Sequence, residues 1–158
     1  MVSKYFLPHD DTDDNYDLWD KFPNHRWIHN KLELALLCGH NAGPIPILPK
    51  ASGYYILRPI YNLIGLGLNA KKVWIDKDDI EKIHDYHPGE FWCEWFEGSH
   101  YSIDYEWNNG WQPIFATQGF NSADNLIQFT RWNKIKPPNI LLPDFLDKLK
   151  DIKFLNIE

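Results

Sequence analysis

Three aromatic runs divided by tight-turn residues constrain this chain more than any other feature. Phe91–Phe96, His100–Trp107 and Trp111–Thr117 are rich in bulky aromatic and branched side chains; Gly98-Ser99 and Asn108-Asn109-Gly110 stand between them. An Asn-Gly pair before such a run is a strong hairpin signal, because both residues tolerate the positive φ of a tight turn. The pattern predicts a series of antiparallel strands. Successive strand residues point to opposite sides. Phe91, Cys93 and Trp95 therefore share one face, and Trp92, Glu94 and Phe96 the other. Both faces carry large aromatics, which predicts a central strand covered on both sides.

Composition supports a sheet. The aromatic share is 16%, with eight Trp, eight Tyr and nine Phe in 158 residues, a supply of broad flat side chains suited to a β-rich core. Tyr54–Arg58 reads as a strand ended by Pro59. Val73–Ile75, Leu126–Trp132 and Lys153–Ile157 read as others, and residues 3–8 as a short edge strand stopped by Pro8. Pro23 and Asn24 signal a helix start and Gly39 a stop, so a helix is expected over 25–38. Its apolar face of Trp27, Ile28, Leu32, Ala35, Leu36 and Cys38 suits packing on a sheet. Shorter helices are expected at Asp76–His84 and Pro143–Leu149, and the Pro- and Gly-rich stretch Gly39–Ser52 is a connector. The expectation is one α+β domain, a mainly antiparallel sheet with packed helices. Residues 1–50 form a helical part and connector, and residues 51–158 the β-rich part.

Charge narrows the partners. The formal net charge is -6 and there is no Lys/Arg stripe, which argues against general nucleic-acid binding. A local basic site for one small phosphate ligand stays open. Asp10, Asp11, Asp13, Asp14 and Asp17 lack the spacing of a calcium loop and read as a solvated loop. His25 and His29 stand four apart, as some zinc pairs do, but without a third ligand they read as helix-surface histidines. His84, His87 and Cys93 lack a fourth ligand in the same way. No metal site is assigned. Cys38 and Cys93 read as free thiols in a reducing cytoplasm. No apolar run has the length of a signal core or a membrane span, so the expected location is cytoplasmic and no membrane partner is expected.

Taken in order, the residues from Tyr54 to Gln118 resemble the ATP-grasp superfamily. That family carries a basic residue and Pro at a strand end, then a glycine-rich loop; Arg58-Pro59 followed by Gly65 and Gly67 is similar. It then carries an acidic-aromatic strand, a glycine and a strand of the form G-x-E-[YF]-[ST]-[VI]-[DE]; Gly98-Ser99-His100-Tyr101-Ser102-Ile103-Asp104 is similar. His100 stands where the family usually has Glu, Arg58 stands where Lys is commoner, and the strands that hold Mg²⁺ in the family would follow Glu158.

The resemblance implies an ATP-binding site with Mg²⁺. Arg58 would take phosphate as a permanently charged fork. The Gly65–Gly67 loop would cover the anion with backbone N–H groups. Cys93, Glu94 and Trp95 would line the adenine pocket, and His100 would approach the ribose. The expected function is an ATP-grasp-like nucleotide-binding domain, reduced or incomplete as a carboxylate–amine ligase, with no catalytic residue assigned. The alternative is a non-catalytic interaction or structural protein that uses its aromatic surface. Chain size and richness in Asn, Lys, Ile and Asp suit a viral gene, with the host cytoplasm as location. For His100, Asp104 and Glu106, on one strand face, the plain reading is an exposed polar face; the sharper one is a metal or acid–base group.

Overall fold

The computed structural model describes residues 15–63, 69–79, 86–122 and 125–158, with the backbone alone at 122 and 125–128. Every described strand before residue 95 belongs to one four-stranded antiparallel sheet, and every strand after it to a second. The first has the order β1-β4-β2-β3, from β1 (Ala42–Pro44), β2 (Gly53–Pro59), β3 (Lys71–Ile75) and β4 (Glu90–Glu94). The second has the order β7-β6-β5-β8, from β5 (His100–Trp107), β6 (Trp111–Ser122), β7 (Asn125–Lys134) and β8 (Phe154–Ile157). The expected α+β class, mainly antiparallel with packed helices, is what the chain adopts.

β4 is the central strand that its two-sided aromatic pattern predicts. It runs between β1 and β2, with Glu90 to Cys93 all buried. One face carries Tyr55, Leu57, Ile75 and Trp92, closed over by Ile45 and Leu48 of the loop after β1. The Trp92 indole N–H donates to the Ile47 carbonyl at 2.6 Å, which meets the indole's one polar need. Gly43 lies directly under that indole: a Cβ there would stand 2.7 Å from Trp92 Cζ2. The opposite face buries Phe91 and Cys93, with α2 (Lys31–Leu37) against β1 and β4.

The helical part differs from the expected single helix. α1 (Asn15–Lys21) is followed by a 3-10 helix, Pro23–His29, and then by α2. Asn30 makes the break. Its backbone is extended, at φ -81 and ψ 93, and its side chain accepts the Glu33 N–H at 3.0 Å, an N-cap that starts a new helix at Lys31. Gly39, at φ 77, ends it as expected, with the His40 N–H returning to the Ala35 carbonyl. A 3-10 helix repeats every three residues, so His25 and His29 do not share a face there. Asp17 lies in α1, not in a loop; residues 10–14 and the expected strand at 3–8 are outside the described residues. Asp76–Asp79 closes as a turn with a bridge between its ends, not as the start of a helix, and 80–85 lie outside the described residues.

In the second sheet β5 and β6 form the expected hairpin, with Asn109 at φ 54 and Gly110 at φ 138. β6 bulges at Ile114, beside Pro113, which has no N–H to give the ladder. Ile103, Tyr105 and Ala116 form the inner face under Trp111, Ile135, Leu142 and Ile157. The Trp111 indole N–H reaches the carbonyl of Leu146, in the 3-10 helix Asp144–Leu149. Another register shift, after Phe120, leaves Thr130 out of step and turns Phe129 to the same face as Trp132. β4 and β5 do not pair with each other; residues 95–99 carry the chain from one sheet to the other. Cys38 and Cys93 are free. Among the described residues no helix is long and apolar enough to cross a membrane.

Candidate functional site

Arg58 lies at the end of β2, directly opposite Phe91 of β4. The alternation of β2 puts it on the face of Ile56, and that of β4 places Cys93 on the same face. Burial lowers its pKa, while Cys93 and Glu158 pull it back up; a guanidinium stays charged under such shifts. Among the described residues, no carboxylate comes within ion-pair distance of Arg58 or Lys31.

Lys31 is the neighbour that the sequence did not single out. Its backbone N–H donates to the Ile60 carbonyl at 2.9 Å and pins the start of α2 to the end of β2. Its amine is pushed down to about 8, first by burial and then by the Arg58 charge, with Glu158 acting in the opposite sense. His29 is lowered as well, by burial and by Lys31. Two half-buried cations that repel each other are costly to hold, and the arrangement favours a phosphate or carboxylate between them.

Glu158 follows β8. Asn156 stands opposite Asp104 and Ile157 opposite Ile103, so Glu158 falls on the face of His100, Ser102 and Asp104. On that face Asn156 Nδ2 donates to Asp104 Oδ1 at 2.7 Å and to Ser102 Oγ at 3.0 Å. The Glu158 charge pulls weakly upward on Lys31, Arg58 and His100, each of which burial lowers overall.

His100 stacks on Phe129 with ring centroids 4.1 Å apart, and Trp132 stands edge-on at 5.7 Å. Gly119 makes room for this cluster: a Cβ there would come within 2.7 Å of Phe129 Cδ1. Burial lowers the His100 pKa, and its Nε2 is buried without a hydrogen-bond partner. A cavity of about 260 Å³ opens beside it, between Tyr101, Ile103 and Tyr105 of β5 and Ile140 and Leu142 of the strap that crosses them. A larger depression, about 390 Å³, lies along α2 itself, lined by Asn30, Leu32, Glu33, Leu36 and Leu37, and none of Lys31, Arg58, His100 and Glu158 lines it.

The remaining expected residues are spread along the crossing segment. Burial and the Glu94 charge push the Cys93 thiol up to about 11, so it is protonated and unreactive at neutral pH. Glu94 Oε1 accepts the Asn41 N–H at 3.1 Å and lies 3.6 Å from His40 Nδ1. Trp95 receives the Lys72 ammonium 4.3 Å from its ring centroid. Gly65 and Gly67 lie outside the described residues. The structure puts Arg58 and Cys93 on one face of the first sheet, and places Glu94 and Trp95 toward the other end of the β2–β4 pair, where Glu94 stands opposite Tyr55 on the opposite face. His100 is on the other sheet. His25, expected on a helix surface, is buried, with Nε2 2.9 Å from Asp151 Oδ2. The signal that would have found Lys31 is Asn30 with Glu33 three residues on, which marks a helix start.

Among the described residues no three His, Cys, Asp or Glu stand together as metal ligands. Comparison with protein-family models, with curated proteins and with solved structures finds no match to this chain.

Proposed function

We propose that this chain is an ATP-grasp-like nucleotide-binding domain that holds the phosphates of ATP where its two sheets meet. The observation that carries the reading is the pair of half-buried cations at the end of β2, Arg58 and Lys31, kept near each other by the Lys31 N–H bond to the Ile60 carbonyl and paired with no carboxylate among the described residues. Arg58 and Lys31 take the phosphate oxygens. The backbone of Cys93, Glu94 and Trp95, where the chain leaves the first sheet, would take the adenine, toward the other end of the β2–β4 pair from Arg58. Mg²⁺ binds hard oxygen ligands and is often held by one or two carboxylates plus the nucleotide's own phosphates. Asp104 and Glu158, on one face of the second sheet, fit that donor set. The ion would neutralise phosphate charge. The reading is of binding alone: among the described residues ahead of β2, α2 packs on β1 and β4, and the helices before it pack on one another and on α2.

Thermal unfolding with and without Mg-ATP tests this. At a hundredfold excess over Kd the ligand stabilises by about 2.7 kcal/mol, and Arg58→Ala removes the gain. No shift at millimolar ATP in a folded sample rejects the reading. A shift that survives Arg58→Ala removes Arg58 from the phosphate site.

One observation favours a second reading, an interaction protein. Trp74 and Tyr54, opposite each other on β3 and β2, are 53% and 58% exposed and meet edge-on at 5.1 Å. Lys72 lies over both Tyr54 and Trp95 and extends the aromatic surface. Such exposed aromatics are common at protein interfaces. A mass by light scattering that rises with concentration, and falls back in Trp74→Ala, would favour this reading; a monomer at every concentration removes its self-association form.

A further inference from the structure

The two sheets are joined covalently by one segment, residues 95–99, since β1 to β4 precede it and β5 to β8 follow it. Gly98 within it has a φ of 140, a conformation that L side chains rarely adopt. Short segments of this kind absorb the backbone rotation of a hinge. A second tie is non-covalent. His25, in the 3-10 helix Pro23–His29, places Nε2 2.9 Å from Asp151 Oδ2. Two residues further on, Trp27 meets Phe145 edge-to-face, with centroids 6.0 Å apart. The first partner of each pair belongs to the first half, because its helix packs on α2 and α2 packs on β1 and β4. The second belongs to the other half, through the bond from the Trp111 indole to Leu146.

We propose that these two contacts form a latch that sets the opening between the sheets, and with it the distance from Lys31 and Arg58 to His100 and Glu158. The latch itself follows from the contacts; its effect on ATP rests on the nucleotide reading above. His25 is buried and its Nδ1 has no partner, so the Asp151 carboxylate supplies the ring's one side-chain hydrogen bond among the described residues. Loss of the Asp151 carboxylate leaves that imidazole buried and unsatisfied in the closed state, which shifts the balance toward the open one. The Asp151 side chain is 66% exposed, so its loss removes the contact and little packing. Trp27 and Phe145 supply the apolar half. Two separated contacts fix an angle as well as a distance, which neither does alone.

The test compares wild type, Asp151→Ala and Trp27→Ala in the full chain. Small-angle X-ray scattering gives the radius of gyration, limited proteolysis gives the cleavage rate within 95–99, and calorimetric titration gives the ATP affinity. Both variants are expected to unfold cooperatively, to have a larger radius of gyration, and to be cut faster in the crossing segment. If the closed fraction falls to about a tenth, the apparent Kd for ATP rises about tenfold. Unchanged scattering and cleavage in both variants overturn the latch, whatever ATP does. Opened variants of a protein that never binds ATP leave the latch standing and remove the nucleotide reading. Opened variants with unchanged ATP affinity overturn the coupling. If Trp27→Ala does not fold, the exposed Asp151→Ala decides alone.

Discussion

The two sheets have the same number of strands and the same antiparallel pairing, yet they are built differently. The first inserts its last strand, β4, between β1 and β2, and both faces of β4 are buried. The second is a meander, β5 to β6 to β7, with β8 returning to the free side of β5. It buries one face and leaves Asp104, Asn156, Trp132 and Lys134 on the other. A core strand buried on both sides, as β4 is, has little freedom to adjust; a sheet open on one face can yield. The cations of the candidate site stand on the first sheet and on the helix against it. The groups proposed to complete the site stand on the sheet that can yield.

The largest expected effect tests that difference in the two cores. Leu57 is fully buried in the first sheet, and Leu57→Ala should cost about 2–5 kcal/mol, toward the upper end because loop and strands on both sides hold the cavity open. Ile103 is nearly as buried, but it already lines the cavity beside the strap. Ile103→Ala should fall toward the lower end of about 2–5 kcal/mol, since the strap can settle inward. Chemical denaturation of both variants measures the gap. Equal losses would erase the distinction between a closed and a yielding half.

The glycines repeat the comparison on a smaller scale. Gly43 and Gly119 each have a ring where a Cβ would go, at 2.7 Å in both cases. The ring over Gly43 is Trp92, 4% exposed and anchored to Ile47 by its indole N–H. Gly43→Ala should therefore cost about 1–3 kcal/mol, the usual cost of overpacking. The rings over Gly119 are Phe129 and Trp132, and Trp132 is 41% exposed. They can swing outward, and Gly119→Ala should cost less than about 1 kcal/mol, with a change in His100 chemical shifts as its stacking is disturbed. Matched melting temperatures for the two variants would contradict this account.

What the sequence disclosed follows the same division. The second sheet was legible almost strand by strand because its signals are local: Asn109-Gly110 specifies a turn, and alternation from Tyr101 to Tyr105 separates a buried from a polar face. β2, β3 and the central place of β4 were also legible from residue type. The pairing of β1 with β4 was not, since Ala42–Pro44 carries no strand pattern of its own and is extended only because β4 is there. Apolar periodicity predicts one helix over 25–38, but at Asn30 a capping side chain outweighs it and starts a new helix. His25 illustrates the limit most directly. Its partner, Asp151, is 126 positions away, and nothing local marks either residue. At the candidate site Arg58 was legible through its strand-end position, whereas Lys31 and Glu158 required tertiary placement.

Protonation sharpens the comparison where the halves meet. Burial and Arg58 hold Lys31 at about 8, below the value of an unfolded lysine. The unfolded chain thus binds this proton more readily, and this group's contribution to stability rises as pH climbs through about 8. Phosphate binding has the opposite sign, because it needs the ammonium form. ATP affinity should fall about tenfold between pH 7 and 9, the scale of one charge-assisted hydrogen bond. Lys31→Met should weaken binding at pH 7 and flatten the profile, while Arg58 keeps its charge throughout. A wild-type profile that is already flat would exclude Lys31 from contact with the ligand.

The smallest effect concerns the yielding half alone. Asn156 lies on the open face of the second sheet and bridges Ser102 and Asp104. Water replaces such bonds readily, so Asn156→Ala should cost less than about 1 kcal/mol of stability. Its effect on ligand should be larger if this face meets Mg-ATP, because Asp104 then loses the amide that fixes its orientation toward the proposed Mg²⁺. Weaker Mg-ATP binding at an almost unchanged melting temperature would assign the face to the site. Unchanged affinity would confine Asn156 to joining β8 to β5, and would leave Lys31 and Arg58 as the only part of the candidate site with a stake in the nucleotide.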